Sequence, residues 1–458
     1  MKIKIANGCF LEQVPRRVRQ QITKDLRFHN PRYRDAVKHG VVVNPRKTPP
    51  YLYFFKKSSD GKRYWVPRGY IYKLFTTLKY MNVPFTVEDY TVEREIESKV
   101  DFLGTPKDFQ EEAIYSIIES PFNSGILWAP TGSGKTVMGL AIIAERGQRT
   151  LIVVHSKELM HQWVERAKKF LGVTIGTVGD STFDLREITV GILNSVHLNL
   201  NHLKGKFGQL VCDEVHRSGG RTYFNVIQQL RAKYIIGLTA TPYRSDGLTK
   251  IIYYAVGPII HEVDTQRLQD RKIVLKPKII KISTQFYHFV GNIKREYNQL
   301  ITALCENKRR NRLIAKTVYE DLKKYKDRVL IVSGRTKHCE ILQELLEEEY
   351  GIKSHILLGK TSKKKRKEIV KQFEKGKFKV LISTVSLIGE GFDCPDLSAL
   401  FITTPIKFDG RVIQTVGRIL RPSKGKKPRL YDFRDNRVAT LRFSGFARDR
   451  VYRNEFKN

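Results

Sequence analysis

The sequence predicts an α/β protein: two tandem parallel-sheet domains preceded by a small basic α+β domain. Three observations carry this prediction. From about Val100 short apolar runs alternate with stretches of helical period, the pattern of strand–helix–strand units that close a parallel sheet. The alternation comes in two series, so two sheets are expected rather than one. The first 95 or so residues lack it and have a different composition. A length of 458 residues with 41% hydrophobic content suits two or three packed domains and argues against a disordered tail or a membrane protein.

Residues 1–95 read as a basic N-terminal domain. Residues 1–80 contain 19 Lys and Arg but only four acids (Glu12, Asp25, Asp35, Asp60), about twice the positive density of the whole chain. Tyr51, Tyr53, Phe54, Phe55, Tyr64, Trp65, Tyr70 and Tyr72 cluster around Ser58-Ser59-Asp60-Gly61, and Asp-Gly is a strong hairpin turn signal. Two strands are expected, Tyr51–Lys57 and Lys62–Pro67, followed by a helix over Tyr70–Met81. A small aromatic core with solvated basic residues and a nucleic-acid-contacting hairpin both fit this pattern.

The first α/β domain is expected over 96–265. Its strands are Ser124–Trp128, Thr150–His155, Glu187–Ile192, Leu210–Cys212 and Tyr234–Leu238, with helices Gly134–Arg146 and Glu158–Phe170 between them. The second is expected over 266–440. It has strands Val329–Ser333, Lys353–Leu357, Val380–Ser383 and Ala399–Thr403, and helices Lys337–Tyr350 and Lys364–Glu374. The join falls near Val263–Ile280, and residues 441–458 read as a short basic tail.

Charge narrows the class of partner. With 83 Lys and Arg against 46 Asp and Glu the formal charge is +37, which disfavours a compact chain unless a polyanion shares its surface. Nucleic acid is the leading candidate. Five separated cysteines (Cys9, Cys212, Cys305, Cys339, Cys394), none in a CxxC pair, support neither a disulfide framework nor a zinc module, and a reducing cytoplasm fits them. The broken start Met1–Leu11 and the short apolar run Ile251–Ile260 show no export or membrane-insertion signal.

Two motifs carry phosphate chemistry. Ala129-Pro130-Thr131-Gly132-Ser133-Gly134-Lys135-Thr136 follows an apolar strand and opens a helix, as a phosphate-binding loop must. Gly132 and Gly134 let backbone N–H groups, Ser133 among them, approach the phosphates. Lys135 supplies a cation near the β/γ oxygens, and the Thr136 hydroxyl can ligate Mg²⁺ at a positive helix N-terminus. About 77 residues further on, the strand Leu210-Val211-Cys212 ends in Asp213-Glu214-Val215-His216. Hydrolysis of a γ-phosphate needs one carboxylate on the metal, here Asp213 through water, and one on the attacking water, here Glu214.

Taken in order, the motifs resemble those of superfamily 2 helicases and translocases over residues 100 to 435. Phe109-Gln110 before a helix resembles the adenine-reading Gln. Asp213-Glu214-Val215-His216 is a DExH box, with Ala129 departing from the commonest loop pattern as helicase-type ATPases also do. Gly237-Leu238-Thr239-Ala240-Thr241-Pro242 resembles the Ser/Thr-Ala-Thr motif. Ser383-Thr384 and Gly389-Glu390-Gly391-Phe392-Asp393 resemble motif V, and Gln414-Thr415-Val416-Gly417-Arg418-Ile419-Leu420-Arg421 resembles motif VI. Arg418 and Arg421 are three apart, so on a helix they point to one side with Gln414 one turn earlier.

The resemblance implies two tandem RecA-like domains that hydrolyse ATP with Mg²⁺. Gln110 and Asp393 would join the loop in binding nucleotide. Gln414, Arg418 and Arg421 would stabilise charge on the transferring phosphoryl group from the second domain, making hydrolysis a source of domain motion. His216, Thr239 and Thr241 would couple the nucleotide to the track. Ser156, Lys157, Asn194, Ser195, Arg335 and Thr384 would contact a nucleic-acid backbone with little base specificity. The run Lys363-Lys364-Lys365-Arg366-Lys367 either adds to that track or is a solvated helix face.

The basic N-terminal module, the DEVH box and Gly-Glu-Gly-Phe-Asp together are most similar to phage DNA branch-migration helicases of the UvsW type. The expected activity is therefore ATP-driven remodelling of branched DNA by a monomer in the cytoplasm. An RNA track, or a nucleic-acid-binding ATPase switch that does not separate strands, are the alternatives.

Overall fold

The computed structural model describes residues 1–38, 40–216, 221–243, 247–388, 394, 396–406, 416, 423 and 425–456. Asp393, Gln414, Arg418 and Arg421, together with Gly389–Phe392, lie outside the described residues. The chain divides into two compact units. The first holds Met1–Pro130 and Gly134–Val263, and the second holds Thr131–Ser133 and the residues from Asp264 onward.

In the N-terminal part of the first unit the strands are β1 (Lys2–Ile5), β2 (Cys9–Glu12), β3 (Arg27–His29), β4 (Tyr51–Tyr53), β5 (Lys56–Lys57), β6 (Tyr64–Val66) and β7 (Thr86–Asp89). Five of them form a sheet in the order β5-β6-β2-β1-β7, and β3 pairs with β4 separately. Helix Arg16–Leu26 buries Val18, Ile22 and Leu26, an i, i+4, i+8 row, while its basic residues lie outside that row. Helix Ile71–Tyr80 buries Ile71, Leu74 and Leu78, and both helices pack with Ile3, Leu11, Tyr64 and Val66 into one core.

The expected hairpin forms, but it is shorter. Only Lys56–Lys57 pairs with Trp65 and Tyr64, across a turn that puts Gly61 at φ +63°. Tyr51–Tyr53 instead pairs with Arg27–His29. Tyr64 and Tyr70 are buried, so much of the aromatic cluster is core; Tyr53 stays exposed. The reason is that β6 is an interior strand of the five-stranded sheet and cannot stand free.

This domain is welded to the α/β part of its unit. The guanidinium of Arg68, 4% exposed, donates to the carbonyls of Ala232 and Lys233, and its backbone N–H donates to Gln228 Oε1 at 3.2 Å. Among the described residues no carboxylate accepts from it, and carbonyl dipoles receive the buried cation. Around it, Phe54 meets Phe224 edge-on at 5.2 Å and Tyr72 Oη lies 2.8 Å from Ser124 Oγ. A Cβ on Gly69 would lie 2.4 Å from the Tyr253 carbonyl, so only glycine allows this approach.

The first α/β sheet contains β8 (Ser124–Trp128), β9 (Thr150–Val154), β10 (Gly176–Gly179), β11 (Thr182–Asp184), β12 (Ile188–Ile192), β13 (Gln209–Asp213), β14 (Tyr234–Thr239) and β15 (Ile259–Glu262). Their order is β11-β10-β12-β9-β13-β14-β8-β15, parallel except at β10–β11. Each expected strand is present within one or two residues of its expected ends. The short β10, β11 and β15 carry too few apolar residues to show as a periodic run.

The second unit has β16 (Lys278–Ser283), β17 (Arg328–Ser333), β18 (Ser354–Leu357), β19 (Val380–Thr384), β20 (Leu397–Ile402) and β21 (Arg429–Arg434), in the parallel order β16-β21-β20-β17-β19-β18. Strand β21 is wholly buried yet carries Arg429, Asp432 and Arg434. Arg429 is bidentate on Asp321 at 2.7 and 3.0 Å, and Asp432 receives Arg448, Arg434 and the Tyr452 hydroxyl.

Arg448 and Tyr452 belong to helix Ala439–Phe456. The segment expected as a short basic tail is a helix as far as Phe456, held to the sheet by a buried carboxylate. A third pair joins Arg310 to Asp435 at 2.8 and 3.1 Å, with Thr284 Oγ1 donating to the same carboxylate.

Two outcomes follow from these buried charges. Arg68→Ala leaves the buried Ala232 carbonyl and the half-buried Lys233 carbonyl without this donor and should lower the unfolding free energy by about 2–5 kcal/mol, read by urea denaturation, with faster proteolysis between the two parts of the first unit. Asp435→Ala strands Arg310 and should cost about 3–5 kcal/mol, whereas the double change Arg310→Met with Asp435→Leu should recover most of that loss in the same measurement.

Candidate active site

In a parallel sheet every strand ends at one edge, and loops leaving that edge converge. The order β12-β9-β13-β14-β8 therefore sets five candidate segments side by side, through the registers Ile192↔Val154, Cys212↔Val153, Asp213↔Leu238 and Thr239↔Trp128. Asn194 and Ser195 follow β12, Ser156 and Lys157 follow β9, and Asp213 ends β13. Thr239 ends β14, and the glycine loop leaves β8. Such an edge is where α/β sheets bind ligands.

The glycine loop has the backbone its sequence requires. Gly132 and Gly134 sit at φ +91° and +90°, in the left-handed region, and Gly134 opens helix Lys135–Arg146. Lys135 folds back so that Nζ donates to the carbonyls of Ala129 at 3.2 Å and Pro130 at 3.5 Å. Gln110, buried on helix Asp108–Ile118, accepts the Lys107 N–H at 2.9 Å through Oε1, while its Nε2 faces Gly134, where a Cβ would come within 2.5 Å. The loop thus closes against Gln110 with room for backbone alone, as a cradle for phosphate oxygens requires.

Asp213 and Glu214 are both buried. Asp213 Oδ2 accepts the Trp163 indole N–H at 2.9 Å, and Oδ1 accepts the Glu214 N–H at 3.0 Å. The Asp213 carbonyl accepts the Tyr223 hydroxyl at 3.1 Å. Glu214 holds φ +53°, a strained value for a residue with a Cβ, and this bends the chain out of the strand. Burial, with the neighbouring Glu214 charge, pushes Asp213 up to about 6. At Glu214 burial acts in the same raising sense, but the His216 hydrogen bond and the Lys135 charge overcome it and hold the group down at about 2. An acceptor-rich pair with one member destabilised as an anion suits a divalent cation, and the Thr136 hydroxyl supplies a further oxygen of the type Mg²⁺ takes.

His216 links this pair to the next strand. Its Nδ1 lies 3.1 Å from Thr239 Oγ1 and 3.2 Å from Glu214 Oε2. The Thr239 hydroxyl donates to the Thr241 carbonyl at 2.9 Å and accepts the Thr241 N–H at 3.0 Å. With that proton committed, the His216 Nδ1 carries hydrogen and donates. The three coupling candidates are therefore in direct contact.

The track candidates reach the same edges with varied engagement. Ser156 Oγ caps helix Lys157–Leu171 through the Leu159 N–H at 3.3 Å, and Lys157 pairs with Asp180. Asn194 is exposed and Ser195 half-buried at the start of helix Leu193–Leu198. In the second unit Arg335 follows β17 and donates to Asn298 Oδ1 at 2.9 Å, while Thr384 ends β19.

Sequence reasoning missed Trp163 and Tyr223. Trp163 lies on a buried helical row with Met160, Ala167 and Leu171, and a buried indole needs an acceptor; that need is the only local signal. Its ring fits because Gly139 of the loop helix has no Cβ, which would meet Trp163 at 2.9 Å.

Two family models match in tandem. The type III restriction enzyme res subunit model covers residues 104–244, and the helicase conserved C-terminal domain model covers residues 309–423. This chain belongs to the superfamily 2 helicases. It is 29% identical to the DNA 3'-5' translocase XPB2 of Sulfurisphaera tokodaii over 79% of this chain and 91% of that protein.

Among solved structures, S. cerevisiae Dbp5 bound to RNA and ADP BeF3 matches 77% of this chain and 88% of its own, at 17% identity and a TM-score of 0.55. T4 UvsW matches 99% of this chain and 98% of its own, at 17% identity and a TM-score of 0.44. The two helicase-domain models make the protein an ATP-dependent enzyme acting on nucleic acid, with RecA-like sheets in both units. Among the described residues no helix is long and apolar enough to cross a membrane.

The indole–carboxylate bond gives a direct check. Trp163→Phe keeps the ring but removes the donor to Asp213, and should lower ATP turnover about tenfold or more with little change in unfolding midpoint. Parallel turnover and denaturation measurements separate that result from simple loss of packing.

Proposed function

We propose that this helicase is an ATP-driven DNA translocase that remodels branched DNA, unwinding forks and migrating Holliday junctions. The observation that carries the reading is a shared edge: the loop, the carboxylate pair and the first-unit track candidates all leave one side of one sheet. A ligand change at β13 is one strand from β9 and two from β12, and β8 joins it through β14. That the archaeal relative is a DNA translocase supports DNA as the track.

The proposed layout is a nucleic-acid-binding domain at 1–95, motor domains at 96–265 and 266–440, and a C-terminal segment at 441–458. In the first motor domain Lys135 neutralises β/γ phosphate charge, the loop amides around Gly132, Ser133 and Gly134 bind the phosphates, and Gln110 reads adenine. Glu214, held ionised beside His216, takes the proton of the attacking water. Thr136 and Asp213 would hold Mg²⁺, which when bound offsets charge on the phosphate oxygens.

His216, Thr239 and Thr241 transmit the state of Glu214 to β14 through the hydrogen bonds described above. Asp393 contributes to nucleotide binding, and Gln414, Arg418 and Arg421 stabilise developing phosphoryl charge. Ser156, Lys157, Asn194, Ser195, Arg335 and Thr384 track the backbone.

Lys135→Ala should lower ATP turnover by about 100-fold or more while leaving DNA affinity intact. For the unaltered helicase, forks and Holliday junctions should stimulate ATP turnover above linear duplex and structured RNA, with strand products on a gel. Equal or greater stimulation by RNA would move the track to RNA. Stimulation without any strand product would reduce the protein to a switch.

A further inference from the structure

We propose that the outward face of helix Arg16–Leu26 is a seat for the phosphodiester backbone of duplex DNA. It would act apart from the sheet-edge track but on the same compact unit as Lys135 and the Asp213–Glu214 pair. The proposal rests on the reading of the protein as a DNA motor and adds to it a second, named point of contact.

The face follows from helical spacing. Val18, Ile22 and Leu26 turn inward, which leaves Arg16, Arg19, Gln20, Thr23 and Lys24 along one outward row that Arg27 continues past the helix end. These side chains, with Tyr64 at the base, line an open groove of about 500 Å³. Four of the seven lining residues are cations and none is an acid. The helix has one carboxylate, Asp25, and it is already engaged by Lys73 at 2.7 Å and the Tyr70 hydroxyl at 2.9 Å.

The groove is also organised by its surroundings. Arg19 Nη1 donates to the Gly61 carbonyl at 3.2 Å, which ties the helix to the hairpin turn, and its Nε is buried without a hydrogen-bond partner. The turn is drawn in by the Val14 N–H on the Lys62 carbonyl at 3.2 Å. Its carboxylate, Asp60, is engaged by the Ser58 hydroxyl and the Lys62 N–H. The Arg27 guanidinium lies 4.9 Å from the Tyr51 ring centroid, which limits how far it can wander.

Length and charge together select the ligand. From Arg16 to Arg27 the face runs about 16 Å at 1.5 Å per residue. One DNA strand presents a phosphate about every 3.4 Å along the duplex axis, so four cations face a run of about four or five phosphates. A single small anion would use one or two of them. The amide of Gln20 and hydroxyl of Thr23 between the cations suit phosphate oxygens and carry no arrangement for reading bases.

Because Arg68 welds this domain to Ala232–Lys233, the residues that lead into β14, DNA held here is held relative to the sheet that carries Asp213 and Thr239. The seat is thus a fixed grip on the duplex while the sheet-edge track works.

The test uses the full chain and a fluorescent duplex of about 30 base pairs at about 50–200 mM salt. In the variant R16Q/R19Q/K24Q/R27Q the slope of log affinity against log salt should fall by about 3–4, and affinity near 100 mM salt should drop at least tenfold. ATP turnover without DNA should be unchanged. The variant R16Q/K24Q/R27Q leaves the Arg19–Gly61 tie in place and should lower the slope by about 3, so a disturbed turn cannot mimic the result.

An unchanged slope and affinity in both variants, with wild type binding normally, would overturn the seat and leave the motor reading standing. Failure of the wild-type chain to bind duplex at all would overturn the motor reading itself. Displacement of DNA by polyglutamate from wild type but not from the variants would reassign the face to an acidic protein and overturn the proposal.

Discussion

Two adjacent carboxylates buried at the end of a strand are the constraint around which the first unit is built. Asp213 and Glu214 cannot both be charged in a low-dielectric site unless donors and cations reach them. Each compensating group comes from a different element: Trp163 from the helix after β9, Lys135 from the loop after β8, and His216 from the turn after β13. Every one of those elements must then be in place for the pair to be tolerated. Gly139, which makes room for the Trp163 ring, shows the demand passing one layer further. The chemistry expected of the pair and the packing of the domain are the same problem.

The two units handle buried positive charge in different ways. In the second, Arg310, Arg429 and Arg448 are each matched by a carboxylate, and Asp432 alone gathers Arg434, Arg448 and Tyr452. A matched pair in a fully buried strand fixes register, because sliding by one residue would strand every charge. In the first unit Arg68 is buried against backbone carbonyls. Its planar fork spans two successive backbone oxygens, something an ammonium could not do, and so it defines a single docking position for the N-terminal domain. A domain of strong positive charge is thus joined to the first α/β sheet by this fork and by an apolar seam in which Phe54 meets Phe224 and Tyr70 meets Tyr254.

Local order in the chain accounts for much of this fold. The strands from Ser124–Trp128 to Leu397–Ile402 were readable because parallel strands buried on both faces appear as short apolar runs between amphipathic helices. The glycine loop was readable because Gly132 and Gly134 must adopt a backbone that few other residues accept. Strands β10, β15 and β16 were not, since they are short or mixed in polarity and hold their places through neighbours. The strand β21 carries three charges and has no apolar run to see, yet it is wholly buried.

What the linear order of residues settled was therefore periodicity and turn chemistry, each decided within a window of about a dozen positions, and the order in which the motifs follow one another. What only the folded chain settled was partnership at long range. Trp163 finds Asp213 across 50 positions, Arg68 finds Ala232 across 164, and Arg429 finds Asp321 across 108. Such pairings depend on which strands become neighbours in a sheet. That order is set by the burial of whole layers, a property that no short stretch of sequence contains.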